Sequence, residues 1–156
     1  MDVSAAETDD VDRLIDLWVS LAKGQREHGS HLLSEANRNR IRESVVQHVV
    51  SDSLLIADTG ELAGFVMFST GSGGYEQDCA RGVIENLYVR PRYRDDGIGA
   101  ALLETAEERL GADGVDAVAL EVMAANEDVR RFYRRQGYRP HRVELEKPMG
   151  DDEQPG

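Results

Sequence analysis

The chain has 156 residues, 40% of them hydrophobic, and its 30 acidic side chains against 18 basic ones give a net charge of −12. That length fits one domain with a core, and no apolar run approaches the ~18 residues that would mark a membrane span. The single cysteine, Cys79, excludes an internal disulfide and a cysteine-based zinc cluster, and so acidic a surface repels nucleic acid and anionic membrane as partners.

The N-terminus is acidic and lacks a charged-then-apolar leader, so the expected location is the cytoplasm. Only Lys23 and Lys147 are lysines. An acidic, lysine-poor surface suits a high-salt cytoplasm, although a high-GC codon bias would also favour arginine over lysine. Residues 1–149 are read as one domain, and 150–156, acidic and proline-bearing, as a disordered tail.

In chain order, Thr8-Asp9-Asp10 precedes Val11, Leu14, Ile15, Trp18 and Leu21, whose spacing predicts a first helix. Residues 24–33 are polar and glycine-punctuated, hence a loop. Ser34 is the expected cap of a second helix with Ile41, Val45 and Val49 on its inner face. Strands are expected over 53–58 and 62–69, joined by a tight turn at Thr59-Gly60. A linker over 70–81 follows, with three glycines and Cys79.

The next strand, 83–89, reads V-I-E-N-L-Y-V. Period-2 alternation puts Glu85 on the face of Val83, Leu87 and Val89 unless a bulge resets the parity; a carboxylate buried there should have a raised pKa. Gly97 and Gly99 then let the backbone turn tightly before a helix with Ile98, Leu102, Ala106 and Leu110 on its inner stripe. The free N–H groups and positive dipole end of that helix face the loop and make an anion site. The loop lacks the first glycine of a dinucleotide fingerprint, Arg94 standing in the leading position, and no Gly-Lys-Ser/Thr follows. Nucleotide binding through the loop alone is therefore disfavoured.

A strand over 115–123 leads to Asn126-Glu127-Asp128, a strong helix start with Asn126 as N-cap. That helix presents Val129, Phe132 and Tyr133 on one side and stops at Gly137, and Tyr138 opens a last strand over 138–147. The four histidines, His28, His31, His48 and His141, lack ligand spacing with carboxylates or cysteines, so no metal is expected. No serine sits in a nucleophile elbow.

Residues 83–138 resemble the acetyl-CoA core of the GNAT N-acetyltransferase superfamily. Its central strand, R/Q-x-x-G-x-G/A loop and N-(x)n-Y-x-x-x-G-[FY] helix are matched by 87–89, 94–99, and Asn126, Tyr133, Gly137 and Tyr138. The resemblance implies an α/β (α+β) fold, a mixed and mostly antiparallel sheet with helices on both faces, splayed between strands 83–89 and 115–123 to admit the pantetheine arm. It implies acetyl-CoA as co-substrate, held by Leu87, Tyr88, Val89, Arg94, Asp95, Asp96, Gly97, Ile98, Gly99, Asn126 and Tyr133. The first two helices would flank the acceptor pocket. A single C-terminal strand is short for the two usual in that fold, which leaves room for strand sharing in a homodimer.

Amide formation sets the chemical needs. An alkyl amine with a pKa of ~10.4 is nucleophilic in only about one molecule in 10³ at pH 7, a handicap of roughly 4 to 5 kcal/mol, so a base is required. Two glutamates are candidates, either acting directly or through water. Glu85 matches the base position of polyamine acetyltransferases. Glu121, five residues before Asn126, matches that of ribosomal-protein N-terminal acetyltransferases. Tyr133 is the candidate acid for the departing thiolate, and a backbone N–H near Leu87 or Tyr88 the candidate oxyanion donor. The expected acceptor is a small cationic amine such as a polyamine or amino sugar, with a protein N-terminus or lysine as the alternative. The rival of another class is a non-catalytic acyl-CoA sensor.

Asp95 departs from the family pattern, standing where glycine or a basic residue is common, and Asp96 doubles the charge beside the pyrophosphate. Two acids within ~10 Å of a diphosphate should weaken binding at low ionic strength.

Overall fold

A computed structural model describes residues 1–70 and 76–150. Gly71, Gly73 and Gly74 of the expected linker, and residues 151–156 of the expected tail, lie outside the described residues.

Five strands form one sheet in the order β1 (Asp2–Ala5), β2 (Leu54–Asp58), β3 (Leu62–Thr70), β4 (Arg81–Val89) and β5 (Ala117–Leu120). Neighbours are antiparallel except β4 and β5, which are parallel. Helices α1 (Val11–Arg26) and α2 (Arg38–Val50) cover one face, and α3 (Ile98–Ala112) and α4 (Glu127–Arg135) the other. Because both faces are covered, β2 and β3 read as continuous apolar runs, Leu54 to Ala57 and Leu62 to Phe68 being buried throughout.

The helical stripes expected from spacing are found. Val11, Leu14 and Ile15 of α1 and Ile41, Val45 and Val49 of α2 pack with Phe65 and Met67 on one side of the sheet. Ile98, Leu102, Ala106 and Leu110 of α3 pack with Val66, Phe68 and Ile84 on the other.

Four expectations about elements need correction. The edge strand β1 was not expected, since four residues of mixed polarity carry no alternation long enough to read. Ser34 is buried but makes no capping bond; a 3₁₀ turn, Glu35–Asn37, intervenes and α2 begins at Arg38. The strand expected over 115–123 is confined to Ala117–Leu120. Residues 138–147 are not a strand, because the apolar side chains that suggested one, Val143 and Leu145, face solvent and no neighbour among the described residues supplies a ladder.

Glycine sets the spacing of the central strands. A Cβ on Gly64 would stand 2.4 Å from the Tyr88 carbonyl oxygen, a backbone atom that cannot rotate away. Gly64→Ala is therefore expected to destabilise the fold by about 3 kcal/mol, read as a lower urea midpoint at unchanged m value. A midpoint equal to the parent's would show that β3 and β4 can part at no cost.

Candidate active site

The site is built where β4 and β5 part. Their pairing runs from Arg81 with Ala117 to Ile84 with Leu120 and stops, while β4 continues to Val89. Glu85 and Glu121 are the next residues on each strand, so the two candidate bases flank the mouth of the fork. The Arg90 N–H donates to the Ala63 carbonyl at 2.8 Å, so by alternation the Tyr88 amide also faces β3, and those of Leu87 and Val89 face the open side. That assigns the free donor to Leu87. Tyr88 is corrected as an oxyanion donor, because its N–H belongs to the ladder with Phe65.

A bulge settles the parity of β4. Asn86 pairs with Met67 and Ile84 with Phe68, leaving Glu85 as the extra residue. Leu87 and Val89 consequently pack toward α3, whereas Glu85 turns to the face covered by α2. There it meets a residue that sequence reasoning passed over. His48, in the last turn of α2, places Nε2 2.5 Å from Glu85 Oε2 while its Nδ1 lies 2.7 Å from the Ser44 carbonyl. Only an N–H can face a carbonyl, so Nδ1 carries a proton, and the contact between Nε2 and the carboxylate holds a second one. The α2 C-terminus also favours a cation at this position.

The expected rise in the Glu85 pKa is overturned. The hydrogen bond from His48 holds the carboxyl below its usual range, outweighing the burial that would raise it, with a smaller contribution from Ser69. Reciprocally, the bond to Glu85 holds His48 above the usual imidazole value against its own desolvation. No sequence signal could have found this pair, because 37 positions separate its members and α2 meets β4 only in three dimensions.

Tyr133 lies on the α3 side. Its ring is held edge-on between Phe132 and Tyr138, with centroids 5.1 and 5.7 Å away, and burial pushes its phenol well above the usual value. Tyr138 is fixed in turn by donating to Glu107 Oε2 at 2.6 Å. Asn126 caps α4 as expected, its Oδ1 accepting from the Val129 N–H at 3.3 Å, and Gly137 ends the helix at φ +96°. Glu121 is exposed, just past the end of β5.

The loop from β4 to α3 is held by Arg94, whose Nε donates to the Val89 carbonyl at 2.9 Å while its guanidinium stacks over Tyr88. That side chain secures the turn, and the anion site falls to the backbone. Gly97 stands at φ +80°, and no side chain caps the first turn of α3, so the amides from Ile98 onward remain on offer. A Cβ on Gly99 would lie 3.4 Å from the Phe132 ring, so its absence lets α4 approach. The residues present thus fit a diphosphate ester. Asp95 and Asp96 are both exposed, and Asp95 occupies the left-handed region at φ +69°.

A cavity of about 390 Å³ opens between α1 and the end of β4, lined by Leu17, Ser20, Tyr88, Arg90, Pro91 and Arg92. Trp18 Nε1 and Arg90 Nε, both buried, lack partners among the described residues.

Residues 12–138 match the model of the Acetyltransferase (GNAT) family. The chain belongs to the GNAT acetyltransferase family. It is an N-acetyltransferase, and its α/β fold, with one parallel pair in an otherwise antiparallel sheet, is the GNAT fold. An uncharacterized N-acetyltransferase of Archaeoglobus fulgidus is 29% identical over 143 residues, covering 89% of this chain and 93% of that protein. A GCN5-related N-acetyltransferase from Ralstonia eutropha JMP134 is 24% identical with a TM-score of 0.73, covering 95% of this chain and 97% of that one. The structure of AAC(6')-Iy with the bisubstrate analogue CoA-S-monomethyl-acetylneamine is 15% identical with a TM-score of 0.71, covering 96% of this chain and 98% of that one. At such identities these two structures share the fold with this GNAT chain. Among the described residues, no helix is long and apolar enough to cross a membrane.

Proposed function

We propose that this chain, as a single domain over 1–149 working in the cytoplasm, transfers acetyl from acetyl-CoA to the primary amine of a small metabolite. The observation that carries the reading is the His48–Glu85 pair at the mouth of the β4–β5 fork, with the half-buried Tyr133 on the α3 side of the sheet. The Leu87 and Val89 amides would receive the pantetheine arm, the α3 N-terminus the pyrophosphate, and Asn126 and Tyr133 the thioester end. The AAC(6')-Iy complex shows a protein of this fold holding CoA chemistry and an amine together.

Protons balance as follows. An arriving ammonium group gives one proton to the pair after the pair has lost its own, with Glu85 facing the amine and His48 behind it. A base of this kind is strong because its conjugate acid is stabilised, and it acts only once the shared proton has left. The free amine then attacks the carbonyl carbon of the thioester, and the oxygen is met by the Leu87 N–H. The C–S bond breaks to a thiolate, and the second proton of the nitrogen passes through solvent to that sulfur, leaving the amide and the free thiol. Tyr133 donates a hydrogen bond to the leaving sulfur; its raised pKa keeps it protonated, so it stabilises charge as the bond breaks and does not ionise beforehand. Glu121 would stand in for a protein N-terminus or lysine entering from the β5 side; its exposure at the rim is what favours this second reading.

Arg90 and Arg92 beside the α1–β4 cavity favour an acceptor that carries oxygens next to its amine, such as an amino sugar. Thiol release from acetyl-CoA across amines, amino sugars and N-terminal peptides tests the proposal. Amine-dependent release is expected; tight acetyl-CoA binding without turnover on any of them would favour a sensor.

Acetyl-CoA affinity is expected to rise between dilute buffer and molar KCl. Salt shortens the Debye length to about 3 Å at 1 M and hides Asp95 and Asp96 from the diphosphate. Asp95→Gly should tighten binding at low salt and flatten the dependence, since it removes both a charge and a left-handed non-glycine residue. Calorimetric affinities that fall steadily with KCl would refute the proposed repulsion.

A further inference from the structure

Three arginines, Arg90, Arg92 and Arg94, cluster where β4 turns toward α3, in a chain that otherwise carries a large excess of acid. Two of them are engaged. Arg94 holds the Val89 carbonyl and stacks on Tyr88, and Arg92 pairs with Glu61 and lies over the Tyr93 ring. Arg90 is left over. No carboxylate among the described residues lies within ion-pair distance of it, and its buried Nε meets no acceptor. Asp16, one turn before Ser20 in α1, is already paired with Arg38.

A half-buried arginine with a buried N–H unsatisfied costs stability unless an anion completes the site. Its backbone is also held. The Arg90 N–H is bonded to the Ala63 carbonyl, and Pro91 restricts the residue before it to the extended conformation that Arg90 occupies, at φ −56° and ψ 142°. The cavity of about 390 Å³ between α1 and the end of β4 has room for a small molecule at this point. Leu17, Tyr88 and Pro91 give it apolar and aromatic walls, and the Ser20 hydroxyl already donates to the Asp16 carbonyl at 3.1 Å. One unpaired cation matches a single negative charge, and the fork of a guanidinium matches a planar carboxylate.

The cavity lies on the Glu85 side of the sheet. Tyr88 packs against the core beneath α1 and α2, its ring 6.4 Å from that of Phe65, and Glu85 meets His48 of α2 on the same side. From Leu87, the proposed oxyanion donor, to Arg90 is three residues of extended chain, about 10 Å, part of which the arginine side chain spans. Resting on the acetyl-transfer reading above, we propose that the acceptor carries a carboxylate a few bonds from its amine, held by Arg90 in this cavity while the amine meets Glu85.

Thiol release and calorimetric binding in dilute buffer test this, with ω-amino acids from glycine to aminohexanoate, each beside the amino alcohol of the same length. The parent should favour at least one amino acid over its alcohol by about tenfold or more in kcat/KM, chiefly through KM, and Arg90→Gln should bring that pair within about threefold. Arg90→Lys, which keeps the charge and loses the fork, should fall between them. Arg90→Gln should also unfold at a urea midpoint no lower than the parent's, because the arginine has no partner in the free protein to lose. A lower midpoint would make Arg90 a structural residue and overturns the proposal. So does a parent that uses amino alcohols as readily as amino acids, a result that leaves acetyl transfer to amines standing. Amino acids that neither bind nor react overturn it as well. Binding of an amino acid that Arg90→Gln abolishes, with no thiol released, would uphold the carboxylate site and overturn acetyl transfer instead.

Discussion

Replacing Tyr133 with phenylalanine is expected to lower kcat by about 10²- to 10³-fold while leaving acetyl-CoA affinity and thermal stability nearly unchanged. The ring, which packs edge-on between Phe132 and Tyr138, is retained, so the change removes a hydroxyl and little else. Loss of that hydroxyl leaves the leaving thiolate without its proposed donor, a deficit felt only as the C–S bond breaks. Such an interaction lowers kcat without raising KM. Steady-state kinetics with the best amine of the panel, beside calorimetric binding of acetyl-CoA, separate the two. A variant that turns over at the parent's rate would make Tyr133 a packing residue only.

Glu85→Gln is the second change of large effect. The amide cannot accept a proton, so kcat/KM is expected to fall by about 10²-fold at neutral pH. The parent's rate should climb as pH rises through the elevated His48 value, because only the pair that has lost its shared proton is a base. His48→Gln should remove that limb and leave a profile governed by the amine itself. A parent-like profile in His48→Gln would mean that Glu85, or Glu121 across the fork, works alone.

The same pair affects folding, with a sign that differs at its two ends. The folded value of His48 is raised, so its stabilisation is complete below the ordinary 6.5 and is lost as pH rises through the folded value. The folded value of Glu85 is depressed, so its stabilisation is present above the ordinary 4.5 and is lost as pH falls through the folded value. Between those values both are in force. Glu85 is 37% exposed, so solvent screening reduces the effect, and His48→Ala is expected to cost about 1 kcal/mol near pH ~5.5 and almost nothing in alkali. Urea midpoints at the two pH values measure this directly; an equal cost at both would mean that packing alone was lost.

Much of the fold was legible because its signals are local. The stripe from Val11 to Leu21, the capped start at Asn126 and the stop at Gly137 depend on neighbours within a turn or two, and each stands where its spacing put it. The loop over 94–99 was legible for the same reason, since tight turning and close approach need glycine wherever the rest of the chain lies. Elements were misjudged where that information stopped. Four residues of β1 are a strand only because Leu55 to Asp58 lie beside them. Residues 138–147 have the alternation of a strand and still lack one, because a strand needs a neighbour.

The sequence alone determined that this chain folds as a GNAT acetyltransferase, with a glycine-bearing turn ahead of one helix and a tyrosine on the next. Only the tertiary structure decided the surroundings of Glu85. One extra residue in β4, revealed by its pairing with β3, turned that carboxylate from the α3 face to α2 and onto His48. The physical reason is that periodicity assigns a side chain to a face only while the ladder is regular. A bulge and the ion pair it creates depend on two strands and a helix that meet only after folding.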